Sequence, residues 1–103
     1  MSTFLLVHGA WSGGWAWKKL RPLLRARGHD VFSPTLTGLG ERAHLMSRAI
    51  DLRTHVEDIV GVMRCEELSD VVLCGHSYGG MVIAVLALLA ALQLIMLAWL
   101  RFA

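Results

Sequence analysis

The sequence is poor in cysteine: Cys65 and Cys74 are the only two in 103 residues. Two are too few for a disulfide scaffold, and their spacing matches no metal-ligand pattern. They read as free thiols of a reducing, cytoplasmic setting, with Cys74 a small hydrophobe inside an apolar run. Lysine and arginine never form a block of five or more, and 10 basic residues stand against 8 acidic ones. That balance selects neither nucleic acid nor an acidic surface as a partner. The N-terminus MSTFLLVHGAW lacks a basic start, and its apolar stretch is confined to Phe4–Val7. A secretory leader takes about 7–15 apolar residues after a positive segment, so none is expected here. Charge itself runs out along the chain: after Ser77 there is no His, Asp or Glu, and Arg101 is the single charged side chain.

What is present is well patterned. One small domain is the most such a length supports, and it would bury about two-thirds of its unfolded surface. Phe4-Leu5-Leu6-Val7, closed by His8-Gly9, reads as a buried strand entering a loop. After the glycine-rich stretch HGAWSGGW a helical pattern begins. It has Trp17, Leu20, Leu23 and Leu24 on one face and Lys18, Lys19, Arg21 and Arg25 on the other. Pro22 fits that helix only in the first turn, and Gly28 is its natural stop. A second strand is expected over Asp30–Phe32, ended by Pro34, and then a long loop without clear period, TLTGLGERAHLMSRAI. Between Asp51 and Leu68, the residues Leu52, Val56, Ile59, Val60 and Met63 mark one face of a second helix, with Thr54 and Glu57 spaced as a capping box. Asp70 introduces a third strand, Val71–Cys74. Strand, helix, strand, helix, strand predicts a parallel sheet flanked by helices, with right-handed crossovers.

Composition changes abruptly past Ser77. Met81–Leu100 holds a single polar side chain, Gln93, among residues that favour helix. A helix apolar on every face is either deeply buried or in a membrane. The length just suffices for a span of about 20 residues, yet only Arg101 follows to orient one, and a membrane partner through 81–100 is not favoured. Two other readings stand beside it: a chain whose frame or end changed shortly after Ile83, and a helix that covers a sheet edge otherwise open to aggregation.

The chemistry concentrates in GHSYGG, residues 75–80. Gly75-x-Ser77-x-Gly79 between a strand and a helix has the form of a nucleophile elbow, in which small residues let a sharp turn lift the serine hydroxyl clear. The helix that follows points its N-terminus, and its partial positive charge, at the hydroxyl. An ordinary glycine-rich turn is the alternative. Acyl transfer also needs two backbone N–H donors for the oxyanion. One belongs to the residue after the nucleophile, Tyr78. The other comes from a loop after an earlier strand, where His8-Gly9 makes Ala10 the candidate. A plain tight turn at His8-Gly9 is the alternative there, but the two signals in this order support each other.

The segments FLLVHGAWSGGWAW, LLRARGHDVFSPTLTGLGER, HVEDIV and DVVLCGHSYGGMVI, spanning roughly residues 3–84, resemble the N-terminal half of α/β-hydrolases of the methylesterase and hydroxynitrile-lyase-like group. The resemblance implies an α/β fold in which a three-stranded parallel sheet with flanking helices is part of a larger sheet, here ending in a long apolar helix. Residues 1–80 would form a partial hydrolase domain and 81–103 an apolar helical tail. It implies carboxylic-ester hydrolysis with Ser77 as nucleophile, Ala10 and Tyr78 as oxyanion-hole donors, no cofactor and no metal, and a small ester-like substrate.

In that family the acid and histidine of the triad follow the serine, and here none does. Of the upstream histidines, His76 is expected to point to the far side of the turn and His8 to support the oxyanion loop. His29, His44 and His55 are expected at a strand start, on a loop and on a helix surface. The chain alone should therefore turn over little or nothing, and the alternative is a non-catalytic fragment or a membrane-tethered small domain. An exposed sheet edge and an apolar tail point to self-association. Gly38-Leu39-Gly40-Glu41-Arg42-Ala43 superficially matches a dinucleotide fingerprint, but no helix opens from it. Trp11, Trp15 and Trp17 fit either a pocket lining or core packing, and Glu57 and Asp58 read as solvated or capping residues.

Overall fold

Leu5, Leu6 and Val7 are shut off from solvent on both faces of one strand, which is what a continuous apolar run does at the centre of a parallel sheet. In the computed structural model, which describes the backbone of residues 1–102 and the side chains of residues 1–92, that strand is β1 (Thr3–Val7). It lies between β2 (Asp30–Phe32) and β3 (Val71–Gly75) in the order β2-β1-β3. Both pairings are parallel, with Thr3 opposite Asp30 on one side and Val7 opposite Gly75 on the other. This second register places the loops that leave β1 and β3 at the same end of the sheet.

The helices are α1 (Leu20–Ala26), α2 (Leu52–Cys65) and α3 (Tyr78–Phe102). Leu5 and Val7, two apart on a strand, face the same way. They form one buried cluster with Leu36, with Val56 and Ile59 of α2 and with Val82 of α3. Leu52, Val60 and Met63 pack partly against it, so the apolar face expected for the second helix is the face that is covered.

Two expectations change. The capping box lies one turn earlier than Thr54–Glu57: Asp51 accepts the Thr54 N–H at 3.1 Å, and the Asp51 N–H donates to the Thr54 hydroxyl at 3.2 Å. Asp51 takes this role because its backbone is extended (φ −143°), as a helix-capping residue requires. Its bonds to Thr54 hold its carboxyl below the ordinary range. The apolar face expected for the first helix is largely uncovered, with Leu23 65 % exposed and no α1 residue buried. The reason is that α1 lies against the short edge strand β2. Arginines do much of the fastening, Arg21 donating to the Ser33 hydroxyl and Arg25 to the Val31 carbonyl. Pro22 does fall in the first turn, because α1 starts at Leu20.

The long loop after β2 contains a 3₁₀ turn, Gly40–Leu45, and a second such turn, Gly14–Trp17, precedes α1. The loop is held by side chains: Thr35 receives the Gly14 N–H and donates to Glu41. That bond is the main reason the Glu41 carboxyl sits below its usual range. Among the described residues no helix is long and apolar enough to cross a membrane. The expected ending in a long apolar helix is therefore not supported; of the tail 81–103, the side chains of 93–103 lie outside the described residues. Nearer in, Leu88, Leu89 and Leu92 of α3 and Val72 of β3 are exposed, and the outer edges of β2 and β3 have no strand partner among the described residues.

Candidate active site

At the end of β3 the chain turns sharply. Ser77 has φ +55°, a left-handed conformation that costs a non-glycine residue about 1–2 kcal/mol. The turn is tied down on both sides: the His76 N–H donates to the Val7 carbonyl at 3.0 Å, and the Gly79 and Gly80 N–H groups donate to His76 and Ser77, both at 2.9 Å. The two glycines that frame the serine have no room for a side chain. A Cβ on Gly75 would lie 2.5 Å from the Gly79 carbonyl oxygen. One on Gly79 would fall onto the Val7 carbonyl oxygen and 2.7 Å from that of His8. The close approach of α3 to the end of β1 is thus built from backbone alone. Ser77 is left exposed, and among the described residues its hydroxyl has no side-chain hydrogen-bond partner.

The loop after β1 lies against this turn. A Cβ on Gly9 would be 3.3 Å from Ser77 Cβ and 3.2 Å from the His76 carbonyl oxygen. Ala10 and Ser77 line one cleft of about 340 Å³, and Ala10 and Tyr78 line a second of about 210 Å³. All three residues singled out in the sequence therefore stand together, at the carboxyl ends of β1 and β3.

His8 is fully buried beneath this loop. Its Nε2 accepts the Leu36 N–H at 2.9 Å, so the proton sits on Nδ1, which donates to the Gly9 carbonyl at 2.7 Å. Burial holds its pKa below the ordinary 6.5, and the Gly9 bond opposes that shift. Both nitrogens are engaged, one on its own loop and one on Leu36, in keeping with the supporting role that the resemblance implies.

His55 departs from expectation. It is buried, 5 % exposed, instead of lying on a helix surface. Its Nε2 is 2.9 Å from the Thr37 carbonyl, which can only accept, so Nε2 carries the proton. Nδ1 then accepts the Tyr78 hydroxyl at 2.6 Å. Burial, with Asp51 nearby, raises the Tyr78 phenol above its ordinary value. Asp58 is not a solvated residue either: its carboxylate receives both the N–H and the hydroxyl of Thr37, each at 2.7 Å. One signal for His55 was present in the sequence, since it lies one helical turn before Ile59 and so shares the core side of α2.

His76 lines the same cleft as Ser77 instead of pointing away from it, because the Gly9 loop packs against both residues. His29 is at the start of β2, where Nδ1 accepts the Ser2 N–H, and His44 is exposed in the 3₁₀ turn. Trp11 and Trp15 are not core residues: Trp11, at φ +63°, is 94 % exposed and Trp15 is 47 % exposed, whereas Trp17 is half-buried. Trp11 and Trp15 border a cleft of about 580 Å³, and Trp17 borders the Ser77 cleft. Among the described residues no group of three or more His, Cys, Asp or Glu could hold a metal ion. The Gly38–Ala43 segment enters the 3₁₀ turn, where Gly40 packs on the Ser12 carbonyl.

This arrangement has counterparts among known proteins. The sequence model described as "Alpha/beta hydrolase family" matches residues 4–102. A carbendazim hydrolyzing esterase of Nocardioides sp. (strain SG-4G) is 54 % identical over 83 residues, which cover 81 % of this chain and 34 % of the relative. Salicylic acid-binding protein 2 of Nicotiana tabacum is 44 % identical over 82 residues, covering 76 % of this chain and 30 % of the relative. An extracellular alpha/beta-hydrolase from a Paenibacillus species superposes with a TM-score of 0.76 at 30 % identity, over 84 % of this chain and 35 % of that one. The chain spans about a third of the length of the relatives it matches.

Proposed function

Because the chain belongs to the alpha/beta hydrolase family, we propose that it carries the nucleophile half of a serine hydrolase site for carboxylic esters of small molecules. The observation that supports this most is the left-handed Ser77 between two glycines that tolerate no side chain. Such strain persists only where the surroundings impose it, and it concentrates at functional sites. Relatives named as esterases support the ester class.

In this reading Ser77 Oγ attacks the ester carbonyl carbon while a base takes its proton. The carbonyl π electrons move to oxygen, and the N–H groups of Ala10 and Tyr78 hold the oxyanion. Collapse expels the alcohol and leaves an acyl ester on Ser77, which water then hydrolyses. The chemistry calls for no metal or cofactor. It does call for a base oriented by a third group. His76 shares the Ser77 cleft, but among the described residues no third group holds its ring; His8 and His55 have both ring nitrogens engaged, and no His, Asp or Glu follows Ser77. The 103 residues by themselves are thus read as a nucleophile with its oxyanion donors, of little or no turnover. Residues 1–80 carry the hydrolase part and 81–103 the helical tail. The two free thiols fit a reducing, cytoplasmic compartment.

A chimera tests the reading. Residues 3–84 would replace the matching segment of the Nocardioides esterase, which supplies the remaining two-thirds of a hydrolase. Ester hydrolysis that vanishes with Ser77→Ala is the expected result. A folded chimera with no serine-dependent hydrolysis sinks the assignment.

A further inference from the structure

We infer that His55 is a positioning residue for the Ser77 site, fixing the peptide that follows the serine by holding the Tyr78 phenol. The inference rests on the reading of the Tyr78 N–H as an oxyanion donor. Within GHSYGG only one side chain can anchor the turn to the interior. Gly75, Gly79 and Gly80 have none to offer, and His76 and Ser77 are exposed. Tyr78 is the exception, partly buried, with its hydroxyl 2.6 Å from His55 Nδ1 and its ring edge-on to the imidazole at 5.4 Å.

The holding group is itself held. His55 can accept from Tyr78 only while its proton stays on Nε2, and the Thr37 carbonyl keeps it there. Thr37 in turn is gripped at its N–H and hydroxyl by Asp58. Asp58 lies three residues after His55, on the same side of α2. One helix face thus grips the loop after β2 and, through it, the residue next to the strained serine. A histidine that served only to fill the core would need neither the Nε2 tautomer nor a Tyr78 partner, and an apolar residue would pack as well. The value of the arrangement lies in aim: an oxyanion donor acts only when it points at the developing charge, and losing one costs about 10²–10³-fold in rate.

Nuclear magnetic resonance on the full chain tests this without requiring turnover. Tyr78 is the only tyrosine, so a single phenol hydroxyl proton is expected, slow to exchange and correlated with His55 Nδ1. The Tyr78 backbone amide should be rigid, with an order parameter of about 0.85. His55→Leu and Tyr78→Phe should drop that amide to below about 0.6 while Val56 and Ile59 amides stay rigid. His55→Gln, which keeps one acceptor and one donor at similar spacing, should restore it. An unchanged Tyr78 amide in His55→Leu overturns the inference. So does a loss of order spread evenly over α2, since that marks a merely structural role. Failure of the ester reading would appear separately, in the chimera's activity, with these signals intact.

Discussion

Gly79→Ala should be far more damaging than the same change one residue later. The added Cβ would meet the backbone of β1: the Val7 carbonyl oxygen, the His8 oxygen at 2.7 Å and the Val7 carbonyl carbon at 2.8 Å. Carbon contacts settle at about 3.5–4.0 Å, so α3 would have to retreat from β1 by roughly 1 Å. No flexible side chain can give way instead. Overpacking of this kind costs about 1–3 kcal/mol. The retreat also pulls on the bond from the His76 N–H to Val7, adding about 1 kcal/mol. The expected total is about 2–4 kcal/mol, or a Tm lower by on the order of 10–20 °C for a domain of this size. At Gly80 a Cβ meets nothing within 4 Å. Gly80→Ala should therefore stabilise by about 0.5–1 kcal/mol through helix propensity alone. Thermal and urea unfolding followed by far-ultraviolet circular dichroism measures both. If the two variants shift stability in the same direction by similar amounts, the steric account of the elbow is wrong.

Other perturbations probe the same site. Ser77→Gly removes the left-handed strain at the cost of some chain entropy, and should raise stability by about 0.5–1 kcal/mol in the same unfolding assays; a loss of stability would count against strain at Ser77. With p-nitrophenyl acetate, the 103-residue chain should release no more product than its Ser77→Ala variant, and a serine-dependent burst would place a working base within these residues. His8 has a folded pKa held below its ordinary 6.5. Its contribution to stability is thus complete above pH 6.5 and lost as pH falls from there toward the lowered value, where only the unfolded chain takes up the proton. A His8→Gln variant should lack that part of the decline, and identical pH profiles for the two proteins would refute it.

The local pattern carried most of the fold. The apolar run Phe4–Val7 reads as a buried strand, and the spacing of Leu52, Val56 and Ile59 as one buried side of a helix, and both elements form there. The elbow was legible for a similar reason. Its geometry depends on which residues lack a Cβ, and glycine positions are written directly in the sequence.

What tertiary structure alone decided is the partnership of polar groups. Nothing local says that His55 meets Tyr78 across 23 residues or that Asp58 meets Thr37 across 21. Nor does it say that His8 spends both nitrogens on its own loop and on Leu36. Their bonds depend on where α2 and the loop after β2 come to rest on the sheet, and packing sets that. The same holds for exposure: Trp11 and Leu23 are apolar, yet nothing among the described residues covers them. Periodicity records which side of an element prefers to be buried. Only the assembled chain shows what, if anything, lies against it.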